Sequence, residues 1–211
     1  LFKDPTSTVV ESKEGVLMGA RIADDGQWRF PVSDIVPYRF EQAVLHFEDE
    51  YFYSHPGFNP ISIGKALWGN LTTEKRRGGS TLTQQVIRLA RKNKKRSYGE
   101  KLVELFQATR LEAGYSKKEI LNLYASYAPF GGNVVGLDTA AWRYFGIPAS
   151  ELSWGQAASL AVLPNAPALI FPGKNEQIFQ QKRDRLLLKL FQQEIIDETT
   201  YQLALSEPLP G

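Results

Sequence analysis

At 211 residues, 43% of them hydrophobic and 23% charged, the chain has the composition of an ordinary folded domain with room for one good core, which argues against disorder. It contains no cysteine, so disulfide, zinc–thiolate and thiol-nucleophile chemistry are excluded. The formal net charge of +2 is unevenly spread: positions 75–118 hold 13 Lys and Arg against 3 Glu, a local +10, while the remainder carries 12 basic and 20 acidic residues. A basic zone on a near-neutral protein implies an anionic partner, whether phosphate, nucleic acid or an acidic membrane surface.

The first residues read as strands. Thr8-Val9-Val10, Val16 to Ile22 and Gln27-Trp28-Arg29-Phe30 are separated by Lys13-Glu14-Gly15 and Asp24-Asp25-Gly26, Gly-ended turns that suit a short meander over residues 1–36. From about Pro37 onward the helical period dominates. Asn59-Pro60 has the form of an N-cap with Pro at the first helical position, opening a segment whose apolar residues include Ile61, Leu67, Trp68 and Leu71. Thr81-Leu82-Thr83-Gln84, Ser116-Lys117-Lys118-Glu119 and Ser153-Trp154-Gly155-Gln156 each have capping-box form ahead of an apolar-periodic run. A last helix is expected over Gln177 to Phe191. No run of about eighteen apolar residues occurs, and no signal peptide is visible in this sequence. The chain opens on Leu1 rather than Met, so a natural N-terminus, with any membrane anchor, is expected to have been removed.

Two carboxylates occupy chemically informative settings. Glu48 follows Ala43-Val44-Leu45-His46-Phe47, and an apolar flank raises a carboxylate's proton affinity, which suits a general base near neutrality. The plainer alternative is an acidic helix face, Glu48-Asp49-Glu50. Glu104 follows a dense basic run, with Lys101 one turn before it as a routine surface ion-pair partner. Between them lies Gly78-Gly79-Ser80-Thr81-Leu82-Thr83-Gln84-Gln85-Val86-Ile87-Arg88. Its hydroxyl and amide side chains, with Arg88, gather donors and a cation at a helix start, where an anion binds well. The spacing is not that of a P-loop. The only other histidine, His46, lies nine residues from His55, which makes no ligand set, so His55 reads as a structural hydrogen-bonding residue. The run Arg88, Arg91, Lys92, Lys94, Lys95, Arg96 has no interleaved aromatics and accompanies no nucleic-acid module; no acid falls inside it, so a pyrophosphate pocket beside anionic headgroups explains it best.

The block from Glu48-Asp49 through Phe52, His55 and Gly57, the Gly78–Arg88 block and Lys101-Leu102-Val103-Glu104 together resemble glycosyltransferase family 51, the peptidoglycan glycosyltransferase domain of class A penicillin-binding proteins. That family's pattern reads E-D-x-x-F-x-x-H-x-G, then G-G-S-T-[LI]-[TS]-Q-Q, then R-K-x-x-E. The resemblance continues through Ile120–Gly131, Gly136–Gly146 and Leu163-Pro164-Asn165-Ala166-Pro167. Arg88 stands where Lys is usual, Glu100 where Arg is, Ser126 where Asn is, Pro129 where Tyr is, and Gln156 where Glu is common. With Asp25–Pro31 near the start, these departures look like the C-type members.

The resemblance implies a mainly α, lysozyme-like, two-lobed fold with a cleft between the lobes. Residues 37–211 would form the glycosyltransferase domain and 58–97 its membrane-proximal lobe. The implied substrate is lipid II, polymerised with inversion at C1 of the donor's MurNAc. Glu48 would be the base and Glu104 the second catalytic acid. Ser80, Gln84, Gln85, Arg88, Arg96 and Lys101 would bind the donor pyrophosphate, supported by Asp49, Phe52, His55, Gly57, Thr81, Thr83 and Asn165. Mg²⁺ or Mn²⁺ would be an optional aid, and no obligatory metal is expected because no ligand cluster is visible. Implied partners are lipid II, the growing glycan, an anionic membrane surface reached through 58–71 and 75–101, and a C-terminal transpeptidase domain in the parent chain, but no nucleic acid. The implied location is the periplasmic face of the cytoplasmic membrane. Two other readings stay open: a muramidase-type hydrolase with Glu48 as acid, which has no use for the basic cluster, and a non-catalytic peptidoglycan-binding module, against which the intact Glu48 and Glu104 count.

Overall fold

The computed structural model describes residues 1–14, 17–59, 80–92, 97–165 and 167–210. Over these residues the chain is mainly helical, with α1 at Tyr38–Glu48, α2 at Leu82–Ala90, α3 at Tyr98–Gly114, α4 at Lys117–Tyr127, α5 at Leu137–Phe145, α6 at Trp154–Val162, α7 at Glu176–Gln192 and α8 at Glu198–Ser206. The strands are short: β1 Thr8–Glu11, β2 Leu17–Arg21, β3 Trp28–Arg29 and β4 Val134–Val135. No helix among the described residues is long and apolar enough to cross a membrane. The chain divides into two compact units, one formed by Leu1–Phe47 with Ala125–Gly211, the other by Glu48–Tyr124.

In the first unit, β1 and β2 pair antiparallel, Thr8 opposite Arg21 and Val10 opposite Gly19, with a register shift after Val10. The expected three-stranded meander stops there. β3 instead pairs in parallel with β4, Trp28 beside Val134 and Arg29 beside Val135. The reason lies in side-chain bonding that no local pattern announces. The Arg29 N–H donates to Ser7 Oγ at 3.0 Å and the Phe30 N–H to Thr139 Oγ1 at 2.9 Å, which draws this strand toward the start of α5. Gly136 caps α5 with φ of 90°, and a Cβ there would lie 2.8 Å from the Ser126 carbonyl oxygen, so only glycine fits.

The helical core of this unit is α6 with α7 and α8 packed against it. α6 is apolar nearly all round, as a helix enclosed on several sides must be, and Ala157, Ala158, Leu160, Ala161 and Val162 are wholly buried. α7 contributes the stripe Phe179, Arg183, Leu186, Leu187 and Leu190, at helical spacing. Arg183 is the polar member of that stripe and is 1% exposed. Its guanidinium donates to the Glu207 carbonyl at 2.6 Å and the Leu205 carbonyl at 3.3 Å, satisfying groups at the C-terminal end of α8. α7 also supplies Lys189, whose Nζ donates to the His46 carbonyl in the last turn of α1 at 2.7 Å. A cation at that position completes orphan acceptors and complements the helix dipole.

The second unit is smaller: the loop after Glu48, a 3₁₀ turn at Phe52–Ser54, then α2, α3 and α4 as far as Tyr124. α3 starts at the N-cap Ser97, whose Oγ accepts from the Glu100 N–H at 3.1 Å, and it buries Glu104, Ala108 and Leu111 on one face against α2. The membrane-contact segment expected at 58–71 falls outside the described residues from position 60 onward, as do Gly78, Gly79 and Arg96; Phe58 is half-buried and Asn59 buried.

Candidate active site

The site is built on the N-terminus of α2 and on the loop that follows α1, from Asp49 to Gly57. Thr81 is the N-cap, its Oγ1 accepting from the Gln84 N–H at 3.2 Å and donating to the Gly57 carbonyl at 2.7 Å. The next orphan donor of the helix, the Leu82 N–H, donates 2.9 Å to Oδ2 of Asp49. An anion does sit at this helix start, and it is the protein's own buried carboxylate. His55 completes the arrangement, with Nε2 3.0 Å from both Asp49 oxygens. An ionised carboxylate only accepts, so Nε2 carries the proton and donates. His55 thus takes the hydrogen-bonding place expected from sequence.

Gly57, at φ of 84°, lets this loop touch α3: a Cβ would fall 2.9 Å from the Ala108 carbonyl oxygen. Phe52 is fully buried beneath the loop, with Lys117 Nζ 4.5 Å over its ring. The same ammonium donates to the His55 carbonyl at 2.6 Å and to Glu112 Oε1 at 2.7 Å, and Thr83 Oγ1 donates to that carboxylate oxygen at 2.5 Å. Lys117 and Glu112 escaped the sequence reading. Glu112 could have been found from helical spacing, since it lies eight residues after Glu104, beside Leu111 on the buried face of α3.

Glu48 ends α1 and is half-buried. Gln85 Nε2 donates to its Oε2 at 2.8 Å. Tyr124 is 1% exposed in the same unit; burial, and secondarily the negative charge of Glu48, raise its phenol well above its ordinary range. Gln84 is buried at the helix start rather than facing a groove, while Ser80 and Gln85 are half-buried.

The basic run is partly balanced within the protein. Arg88 grips Glu104 side-on, Nε to Oε1 and Nη2 to Oε2, each at 3.0 Å, and Nη2 also reaches Ser80 Oγ at 3.3 Å. Arg91 donates from Nε to Glu100 Oε1 at 2.6 Å. The acids come from α3, so a search for acids within the run itself misses them. Glu100, at the position where the family carries Arg, is therefore the counter-charge of Arg91. Lys101 is exposed and makes no ion pair with Glu104. Asn165 belongs to the other unit, where Lys182 Nζ donates to its Oδ1 at 2.9 Å.

Glu48, Asp49, Phe52, His55, Gly57, Ser80, Thr81, Thr83, Gln84, Gln85, Arg88 and Glu104 thus share one compact unit and, in large part, one bonded network. A cavity of about 780 Å³ in the first unit, lined by Phe30, Trp142 and Asp138 among others, holds none of them. Among the described residues no three His, Asp or Glu side chains converge as metal ligands, and both oxygens of Glu104 are held by Arg88.

The model of the Transglycosylase family matches residues 16–191. The chain belongs to this family, the glycosyltransferase family 51 of the motif blocks above, and is a peptidoglycan glycosyltransferase domain. It is 39% identical over 205 residues to penicillin-binding protein 1C of Escherichia coli (strain K12), covering 95% of this chain and 26% of that protein. It is 37% identical over 185 residues to a monofunctional glycosyltransferase of Staphylococcus aureus (strain JH9), covering 84% of this chain and 69% of that protein. Penicillin-binding protein 1A of Haemophilus influenzae shares the fold, with a TM-score of 0.54 at 21% identity over 99% of this chain and 21% of that one.

Proposed function

We propose that the domain polymerises lipid II, with Glu48 as the general base. The observation that carries the reading is the Gln85–Glu48 hydrogen bond of 2.8 Å: a half-buried carboxylate at a helix end, oriented by an amide from the motif that opens α2. In this mechanism Glu48 accepts the proton of the 4-hydroxyl on the acceptor's GlcNAc. That oxygen attacks C1 of the donor's MurNAc from the face opposite the leaving group. The bond from C1 to the pyrophosphate oxygen breaks, and its electron pair leaves with undecaprenyl pyrophosphate, giving inversion. Arg88 and Lys101 meet the charge that develops on the leaving group, together with Arg96.

The membrane surface enters as the second partner. Leu102 and Phe106 on α3 are 67% and 70% exposed, one helical turn apart, and Lys101 is exposed beside them. An apolar ridge flanked by a cation suits the interface of an anionic bilayer on the outer side of the cytoplasmic membrane, where a lipid-tailed donor resides. Incubating the protein with labelled lipid II separates the readings. Glycan polymer with released undecaprenyl pyrophosphate is the expected product. Free sugar would identify a hydrolase, and unchanged lipid II a binding module.

A further inference from the structure

Glu104 is the second acid of the motif pattern, yet the structure gives it a partner that changes what it can do. It is 6% exposed, and both of its oxygens are taken by one guanidinium at 3.0 Å. A carboxylate so engaged is one half of a bidentate charge-assisted pair, and removing its partner leaves a buried charge unanswered. The pairing also dictates how Arg88 is displayed. Nε and Nη2 face Glu104, and Nη2 is shared with Ser80 Oγ at 3.3 Å, so Nη1 is the nitrogen without a partner among the described residues. A lysine at this position would bring one rotatable ammonium; arginine brings a planar fork whose orientation is set once its inner edge is fixed.

We propose that Glu104 acts on the reaction only through Arg88: it is a positioning residue that fixes the guanidinium by its inner edge and turns the Nη1 donors toward the departing pyrophosphate. The proposal rests on the polymerase reading above and deepens it. It makes a prediction about sign. If Arg88 is removed, Glu104 becomes an unpaired buried anion beside the place where negative charge develops, and its presence becomes harmful. If Glu104 touched the reacting atoms itself, its removal would be harmful in every background.

The test is a double-mutant cycle on lipid II polymerisation, reading kcat and KM separately at a temperature where circular dichroism shows every variant folded. Glu104→Gln is expected to lower kcat by roughly 10–10²-fold and Arg88→Met by roughly 10²–10³-fold, the scale of losing one preorganised charge donor. The Arg88→Met, Glu104→Gln double variant is expected to match or exceed Arg88→Met alone. A double variant slower by the product of the two single losses would overturn the proposal. Should Arg88→Met not fold, Arg88→Lys serves the same cycle: it keeps the charge but loses the fork, and adding Glu104→Gln is then expected to cost less than it does in the parent. An undiminished Glu104→Gln loss in that background would again overturn the proposal. Failure of the underlying reading shows itself differently, as absence of polymer from the parent protein.

Discussion

Among the helix starts that carry the same four-residue signature, those at Ser116 and Thr81 resolve it in opposite ways. At Ser116 the box closes on itself: Ser116 N–H and Oγ both donate to Glu119 Oε2 at 2.7 Å, and the Glu119 N–H returns to Ser116 Oγ at 3.3 Å, all on an exposed surface. At Thr81 only the forward half of the box forms. The remaining bonds run outward, from Thr81 Oγ1 to the Gly57 carbonyl, from the Leu82 N–H to Asp49 and from Gln85 to Glu48. The first start stabilises a helix, while the second holds a loop, a buried carboxylate and the proposed base in one frame. A capping signature therefore says where a helix begins, but the polarity and burial of its surroundings decide whether the free groups serve the helix or a site.

The sharpest way to break that contrast is Asp49→Ala. It strips the acceptor from the Leu82 N–H and the His55 Nε2–H, both buried, and should destabilise the fold by about 3 kcal/mol, measured by urea unfolding. A loss under about 1 kcal/mol would mean that water replaces the carboxylate and the frame is not built on it. Thr81→Val removes one hydroxyl that both caps α2 and ties down Gly57, for an expected loss of about 2 kcal/mol in the same assay.

Ser116→Ala is the matching change at the local box and should cost roughly 0.5–1 kcal/mol with no effect on polymerisation. Its effect carries a pH signature. Hydrogen bonds from the Ser116 side chain and then its backbone lower the Glu119 carboxyl below its ordinary value, so their stabilisation is full above the unfolded value and is lost as pH falls through the folded one. The melting-temperature gap between parent and Ser116→Ala should therefore be widest near neutrality and narrow in acid. A gap that is constant across that range would show the hydroxyl acting as an uncharged cap alone.

The same contrast explains what could be read in advance. Strand positions, the starts of α2, α4 and α6, and the long final stripe of α7 follow from local periodicity and capping chemistry, and all are legible as text. The pairing of Trp28-Arg29 with Val134-Val135 is not, because two-residue strands carry no alternation and their register is set by Ser7 and Thr139. α8 was missed, although Asp197 caps it through the Thr200 N–H at 2.7 Å; Asp-Glu-Thr-Thr invites a turn reading as readily as a cap. At the site, residue types and spacing singled out Glu48, His55 and the α2 motif as candidates. They could not show that the anion at the start of α2 is Asp49, or that Arg88 and Arg91 are answered by acids from α3, because those facts depend on how two helices pack.

The central claim is that Glu48 is the proton acceptor, held in place by the α2 frame. Replacing it with glutamine keeps the volume and the hydrogen-bonding shape while removing the basicity. For Glu48→Gln the account predicts an unchanged melting temperature and a fall of about 10²–10⁴ in the rate of polymer formation from lipid II. A Glu48→Gln protein that polymerises at close to the parent rate would contradict it.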